Sequence, residues 1–354
     1  MSGRRQVMMA MSGGVDSSVA AAMLIDQGHD VVGVTLKLWG GESDSGCCSV
    51  SDVDDARWVA EQLGIEHHVF NLGAEFDEHV VDPYVASHAA GTTPNPCIEC
   101  NRHVKFGKLH ERAKELGFDA VATGHHARLV TKSDGTWRLA RGADAAKDQS
   151  YVLYMLGQER LERLMLPLGA HTKTEVRARA AELGLRTANK PDSQDVCFIT
   201  STRGGRQRFL GDRLTLTPGR VIDSDGSEVG TVTAVELVTI GQRKGLGMAG
   251  GAPPRYVTKV DTKNSTVTVG DPAELLVAET HVGQLEWADT PFTGEVVVQV
   301  SAHGAPAPAS FAIDGEAGSS SGVVTWVDPH RKVAPGQSVV LYDGDEVQGG
   351  GIAS

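Results

Sequence analysis

Val7-Met8-Met9-Ala10-Met11-Ser12-Gly13-Gly14-Val15-Asp16-Ser17-Ser18 decides how this chain is read. An apolar run leads into two glycines, and a second apolar run, Val19 to Ile25, follows at helical spacing. Strand, glycine turn and helix in that order hold an anion. Glycine lets successive backbone N–H groups close on the charge, and the first turn of the helix adds its own N–H groups and positive dipole end. The hydroxyls of Ser12, Ser17 and Ser18 supply further donors. No Gly-Lys-Ser/Thr follows, so this is not the Walker phosphate loop, and the glycine spacing differs from the dinucleotide fingerprint.

Working outward, strand and helix patterns alternate as far as about Gly204, which implies an α/β domain with a parallel sheet and helices on both faces. Val31 to Leu38, His68 to Leu72 and Ala120 to Thr123 read as further strands. Phe106 to Leu116 reads as a helix ended by Gly117. Thr172 to Leu183 reads as another, with Thr172 and Glu175 in capping-box spacing and Gly184 closing it. Beyond Gly204 short β-type runs dominate. They include Arg220 to Ile222, Leu237 to Ile240, Tyr256 to Val260, Gly294 to Val300, Gly322 to Val327 and Ser338 to Tyr342, with turn signals between them, and they suit small β barrels.

The 354 residues are enough for two or three domains, and 40% hydrophobic content is ample for packed cores. No apolar run approaches the ~20 residues of a membrane span. The apolar start is too short for a signal peptide, so the expected compartment is the cytoplasm. Five cysteines, Cys47, Cys48, Cys97, Cys100 and Cys197, suit a reducing environment better than a disulfide framework. A net charge of −12 argues against a generic nucleic-acid coat, although a local basic patch suffices for RNA. Arg203 to Arg213, with four arginines against Asp212, is one such patch or a solvated loop.

Two cysteines about a hundred residues apart serve sulfur chemistry if the fold joins them, one thiolate attacking while the other leaves. Cys100 and Cys197 are the candidates, in Asn95-Pro96-Cys97-Ile98-Glu99-Cys100-Asn101 and Asp192-Ser193-Gln194-Asp195-Val196-Cys197-Phe198-Ile199. The first stretch reads as a proline-bearing loop before a helix. Cys47 and Cys48 read as small buried hydrophobes. Cys97-x-x-Cys100 also has metal-ligand spacing, with Cys197 as a third thiolate, but a lone pair of this kind is a weak signal and no metal site is assigned.

The Ser-Gly-Gly-x-Asp-Ser loop resembles the PP-loop of enzymes that split ATP into AMP and pyrophosphate. The succession SGGVDSS, NPCIECN, ATGHHAR, KDQSYVLY, DSQDVCFI and TIGQRKGLG resembles the tRNA-specific 2-thiouridylases over nearly the whole chain. The resemblance implies three domains: a PP-loop catalytic domain over 1–204, a small β-rich domain over 205–275 and a C-terminal β barrel over 276–354. It implies ATP with accompanying Mg²⁺, the anticodon arm of tRNA as partner, and a cysteine desulfurase or sulfur-relay protein as donor. It further implies that the wobble uridine is adenylated at its C2 oxygen. By the same implication Cys197 carries the sulfur as a persulfide, Cys100 is the nucleophile, and a transient Cys100–Cys197 disulfide remains.

By the same resemblance, Ala10, Met11, Ser12, Gly13, Gly14, Val15, Asp16 and Ser17 contact ATP, as do Leu36 beside adenine and Gly124 where the backbone passes the nucleotide. Asn95, Pro96 and Cys97 face the target base, and Lys147, Asp148 and Gln149 contact tRNA. Taken alone, the last three also read as a polar start capping a helix from Ser150 to Met155. The chain departs from the family pattern at Cys97, where several members carry aspartate. It departs again at Val232 and Ala234, in place of a His-x-Gly pair, and at Ser301 and Ala302, near an Arg-Tyr pair. Two alternatives share the loop: another adenylating PP-loop enzyme, which does not require both cysteines, and an ATP-sensing RNA-binding protein, which releases no pyrophosphate.

Overall fold

A computed structural model describes residues 3–38, 50–192, 196–199, 204–248, 253–315 and 319–354. Cys47, Cys48, Arg203 and the 193–195 portion of the second cysteine stretch lie outside the described residues.

Period-two alternation builds the first sheet. In β1 (Gln6–Ala10), Val7 and Met9 face one core while Met8 faces another. Strands β2 (Asp30–Lys37) and β3 (His67–Asn71) pair in parallel on one side of β1, and β4 (Ala120–Ala122) pairs on the other. Helices Val15–Asp26, Val50–Leu63 and Lys173–Glu182 cover the Val7 face. The Met8 face packs against helical runs 73–89 and 96–115. An α/β domain with helices on both faces of a parallel sheet is therefore present, as the alternation of patterns implied.

The sequence reading missed a hairpin. Strands β5 (Ala127–Thr131) and β6 (Trp137–Arg141) leave the parallel sheet, and Ala140 of β6 pairs with Glu346 near the end of the chain. The short strand β7 (Leu164–Met165) completes the parallel order β3-β2-β1-β4-β7.

The central region forms a four-stranded sheet, order β10-β11-β8-β9, from β8 (Gly219–Ile222), β9 (Glu228–Val232), β10 (Tyr256–Asp261) and β11 (Thr266–Gly270). Leu237 to Ile240 is not one of its strands. A 3₁₀ turn occupies Val235–Leu237, and side chains claim its backbone: the Glu236 carbonyl meets the His88 ring at 3.0 Å and the Leu237 carbonyl accepts from Arg206. Arg206 and Arg213 belong to a helix, Gly205–Gly211, and its end, rather than to a loop. Arg213 lies over the Phe209 ring at 4.1 Å, so these two arginines serve packing.

Six C-terminal strands close into a barrel: β12 (Leu276–Trp287), β13 (Gly294–Gln299), β14 (Ala307–Ile313), β15 (Gly322–Arg331), β16 (Ser338–Asp343) and β17 (Glu346–Ala353), with β12 pairing both β15 and β17. The barrel is bolted to the α/β domain. Tyr151, Tyr154 and Tyr342 are buried together, the Tyr151 hydroxyl donates to the Ser338 carbonyl at 3.0 Å, and the Ser150 and Tyr342 hydroxyls meet at 3.0 Å.

Candidate active site

A cavity of 440 Å³ opens at the carboxyl ends of β1, β2 and β4, where the strand order turns back across β1. Open α/β sheets bind ligands at such a crevice. Of the residues read from sequence, Ala10, Met11, Ser12, Asp16, Ser17, Leu36 and Gly124 line it. So do Pro96, Cys97, Cys100, Cys197, Lys147, Asp148 and Gln149.

Gly13, Gly14, Val15 and Asn95 do not line the cavity; they hold the elements that do. Gly13 has φ +71, and a Cβ there would sit 2.1 Å from the Asp52 carbonyl oxygen. Its own carbonyl accepts from Lys190 Nζ at 2.9 Å, and the same ammonium pairs with Asp52 and Asp55 at 2.6 Å each. Gly14 is the N-cap of helix Val15–Asp26, and Val15 is buried in the core. Ser12 and Ser17 face the cavity. Ser18 does not: its hydroxyl donates to the Gly14 carbonyl at 2.8 Å and accepts from Thr187. A Cβ on Gly124 would lie 2.7 Å from the Ser17 nitrogen, so this glycine admits the helix start rather than giving the ligand room.

Charged groups concentrate beside the loop. Lys173 Nζ reaches both Asp16 oxygens, at 2.7 and 2.8 Å, and His126 Nε2 lies 3.2 Å from Asp16 Oδ1. Burial alone would raise the Asp16 carboxyl, but hydrogen bonds from His126 and Lys173 hold it below its ordinary value. Asp192 receives Lys147 at 2.8 Å, Lys173 at 2.9 Å and Arg177 at 2.6 Å; against the cost of burial, Lys147 and Lys173 hold its carboxyl well down. His125, bonded to Thr123 at 2.7 Å, is pushed down to about 3, by desolvation first and then by Lys105 and His126. It is a neutral imidazole on the cavity wall.

Lys147, Asp148 and Gln149 are already engaged within the protein. Asp148 accepts from the Gly142 and Ser150 backbones and from Arg141, and Gln149 Oε1 accepts from the His126 backbone at 2.9 Å. The helix expected over Ser150 to Met155 is a single 3₁₀ turn, Ser150–Leu153.

The cysteine end of the cavity corrects the sequence reading of 95–101. Cys97 and Cys100 stand on a helix, not in a loop before one. The Asn95 side chain caps the Cys97 N–H at 3.1 Å, and Pro96 occupies the first helical position. Asn before Pro is a helix-start signal that would have revealed this. The run continues as a π-helical segment, Cys100–Lys108, then as an α-helix, Leu109–Glu115. Cys100 is buried and Cys197 half-buried, and both pack in the core on the Met8 face. Phe198 fixes the second segment, its ring against Phe76 at 5.5 Å and Phe209 at 5.0 Å. Among the described residues no three His, Cys, Asp or Glu side chains converge as a metal site.

Family models match the chain in three consecutive blocks: a tRNA methyl transferase HUP domain over residues 5–201, a tRNA methyl transferase PRC-barrel domain over 207–271 and an aminomethyltransferase β-barrel domain over 277–353. A tRNA-specific 2-thiouridylase MnmA of Roseiflexus sp. is 47% identical, covering 98% of both chains. Proteins of the same name from Chloroflexus aurantiacus and Mycobacteroides abscessus are 44% and 47% identical, covering 98% of this chain and 97% and 99% of theirs. The chain belongs to the tRNA-specific 2-thiouridylase family.

Several groups at or beside the cavity were not read from the sequence: Lys173, Asp192, His125 and Lys190. Lys173 was in view only as the residue after the Thr172 cap. Its partner Asp16 lies on another helix, and no local spacing announces such a pair. His303 was missed as well. It reaches the cavity from the barrel, beside Ala302, where the departure at Ser301 and Ala302 had removed any expected contact.

Proposed function

We propose that this protein is a tRNA uridine 2-sulfurtransferase, using ATP to replace the C2 oxygen of a wobble uridine with sulfur. One observation carries the reading: two thiols from distant segments, Cys100 and Cys197, line the same cavity as the Ser12–Ser17 loop. An amidating enzyme built on such a loop has no need of the pair.

The residues fit a nucleotide triphosphate. Ser12 and Ser17, the N-terminus of helix Val15–Asp26, and Lys147 and Lys173 form a polar end suited to phosphates, while Leu36 and Val34 give an apolar wall suited to adenine. Magnesium would travel on the phosphate oxygens and water, because both Asp16 oxygens already accept from Lys173. The uridine, extruded from the anticodon stack, enters past Pro96 and Cys97. Its C2 oxygen attacks the α-phosphate and pyrophosphate leaves, which turns that oxygen into part of a good leaving group.

Sulfur arrives as a persulfide on Cys197, charged by a cysteine desulfurase or relay protein. The Cys100 thiolate attacks Cys197 Sγ. The outer sulfur departs either as hydrosulfide, which adds to C2, or from an adduct already formed there. AMP leaves with the original oxygen, and the Cys100–Cys197 disulfide holds the two electrons' worth of oxidation until an external thiol reduces it. Neutral His125 on the cavity wall can offer a hydrogen bond but, held neutral down to about pH 3, is a poor proton acceptor, and Cys97 stands where several family members carry aspartate. This reading implies a cytoplasmic protein, and among the described residues no helix is long and apolar enough to cross a membrane.

Nucleoside mass spectrometry of tRNA tests the proposal, using cells lacking the protein and rescued with wild type, Cys100→Ser or Cys197→Ser. The expected result is loss of 2-thiouridine that only wild type restores. Persistence of 2-thiouridine without the protein would refute the substrate, and full rescue by either serine variant would refute the two-thiol route.

A further inference from the structure

The helical run that carries Cys97 and Cys100 changes pitch at Cys100. From Cys100 to Lys108 it is π-helical, and the Leu109 N–H returns to the Val104 carbonyl, five residues back. The pitch decides which side chain stands beside Cys100. In an α-helix Val104 would share its face, and Lys105 would lie about 140° round the axis. A turn closed over five residues brings Lys105 to the Cys100 side and turns Val104 away. The side chains follow the wider turn. Cys100, Asn101 and Lys105 all line the cavity, whereas Val104 is fully buried in the core on the Met8 face. Asn101 fastens this wall, its side-chain N–H donating to the Val152 carbonyl at 2.9 Å. Wider turns of this kind recur where a functional side chain has to be re-aimed.

We propose that Lys105 is the electrostatic partner of Cys100. Its ammonium, set on the thiol's side of the helix by the π turn, holds Cys100 as the thiolate that the sulfur-transfer reading of the site requires. A neighbouring ammonium favours the ionised thiol, and a half-buried wall screens it less than water would. The other charged groups of the cavity have their own partners. Lys147 serves Asp192, and Lys173 serves both Asp16 and Asp192. Asp148 is held by Arg141, and His126 is turned to Asp16. His125 registers the Lys105 ammonium, because burial first and Lys105 next keep its imidazole neutral, and the Phe106 ring packs against it at 5.8 Å. His303, from the barrel, is exposed. When Cys100 ionises, its proton leaves to solvent and Lys105 keeps its own. The electron pair on Cys100 Sγ then forms the bond to Cys197 Sγ as the bond from that sulfur to the outer sulfur breaks. Lys105 thus sets how much thiolate is on hand for the attack.

Alkylation by iodoacetamide reads the thiolate directly, since an ammonium does not steer an uncharged probe. Peptide mass spectrometry on the full chain follows Cys97, Cys100 and Cys197 separately, with neither nucleotide nor RNA present. Lys105→Met, which keeps the stem, should slow Cys100 alkylation about threefold at about pH 7, because the loss of thiolate is partly offset by its greater nucleophilicity. The two proteins should converge by about pH 10, where both thiols are ionised. Lys105→Arg should stay within about twofold of wild type, and Lys105→Glu should be slower than Lys105→Met. Cys97 and Cys197 should change little in every variant. Loss of folding would expose Cys100 and speed its alkylation, so it cannot imitate the expected result. An unchanged Cys100 rate in Lys105→Met, or a slowing that falls equally on Cys97, would overturn the pairing. So would loss of ATP affinity in Lys105→Met with Cys100 unaffected, which would put the ammonium on phosphate instead. If Cys100 slows as expected while Cys100→Ser still restores 2-thiouridine in cells, the pair stands and only its use in sulfur transfer is refuted.

Discussion

A methyl group on Gly124 would press on the first turn of helix Val15–Asp26, 2.7 Å from the Ser17 nitrogen and 2.9 Å from the Asp16 carbonyl carbon. Backbone cannot yield as a side-chain tip can. Gly124→Ala should therefore cost about 1–3 kcal/mol in urea unfolding and weaken ATP binding. An unchanged midpoint with unchanged affinity would show that the strand end and helix start have slack. His125 supports a second prediction. Its unfolded form takes a proton below 6.5, while the folded form stays neutral down to about 3. The unfolded state binds more protons across that window, so stability is full above pH 6.5 and falls as the pH drops toward 3. The slope from this group is at most about 1.4 kcal/mol per pH unit. His125→Gln should flatten the fall measured between pH 6.5 and 5. His67, His88 and His110 are also pushed down by burial, so the slope should shrink rather than vanish. Ser12, Ser17, Cys100 and Cys197 were legible as cavity residues because their spacing is local or their chemistry rare. Asp192 was not, because an aspartate gains its meaning only from the lysines that the fold brings to it.

The helix Lys173–Glu182 opens with Thr172 as its cap, the Thr172 and Glu175 side chains each bonding the other's backbone N–H. The next residue is Lys173, so the cap also aims the ammonium that holds Asp16. Thr172→Ala should cost about 1 kcal/mol and lower the affinity for ATP by a similar free energy. Equilibrium unfolding and nucleotide titration measure the two, and a loss of stability with untouched affinity would separate cap from site. This element could be read from sequence because both halves of the signal lie within four residues. The π-helical segments Asp77–Val81 and Cys100–Lys108 could not. Over so few residues their wider turn leaves the apolar pattern close to that of an α-helix, and only packing selects it. Hairpin β5–β6 was missed for the opposite reason: its strands alternate weakly, and its partner lies in another part of the chain.

At the scale of the molecule, Arg141 is the junction. Its guanidinium lies 3.8 Å from the Tyr342 ring centre and donates to Asp148 in the catalytic domain and to Gln299 in the barrel. Arg141→Met keeps most of the volume but leaves a buried carboxylate without its cation, and should cost about 3–5 kcal/mol in urea unfolding. A smaller loss would mean that Asp148 is satisfied by its backbone and Ser150 donors alone. The sequence announced the order of the domains, but not that the first would lend a hairpin to the sheet of the last. That loan has a consequence during synthesis. Strand β6 leaves the ribosome long before β17, its partner roughly two hundred positions later, has been translated. A newborn N-terminal domain must wait with an open edge and with Tyr151 and Tyr154 half-walled, a natural client for chaperones. Any event that stops translation early leaves a product able to stick to its neighbours.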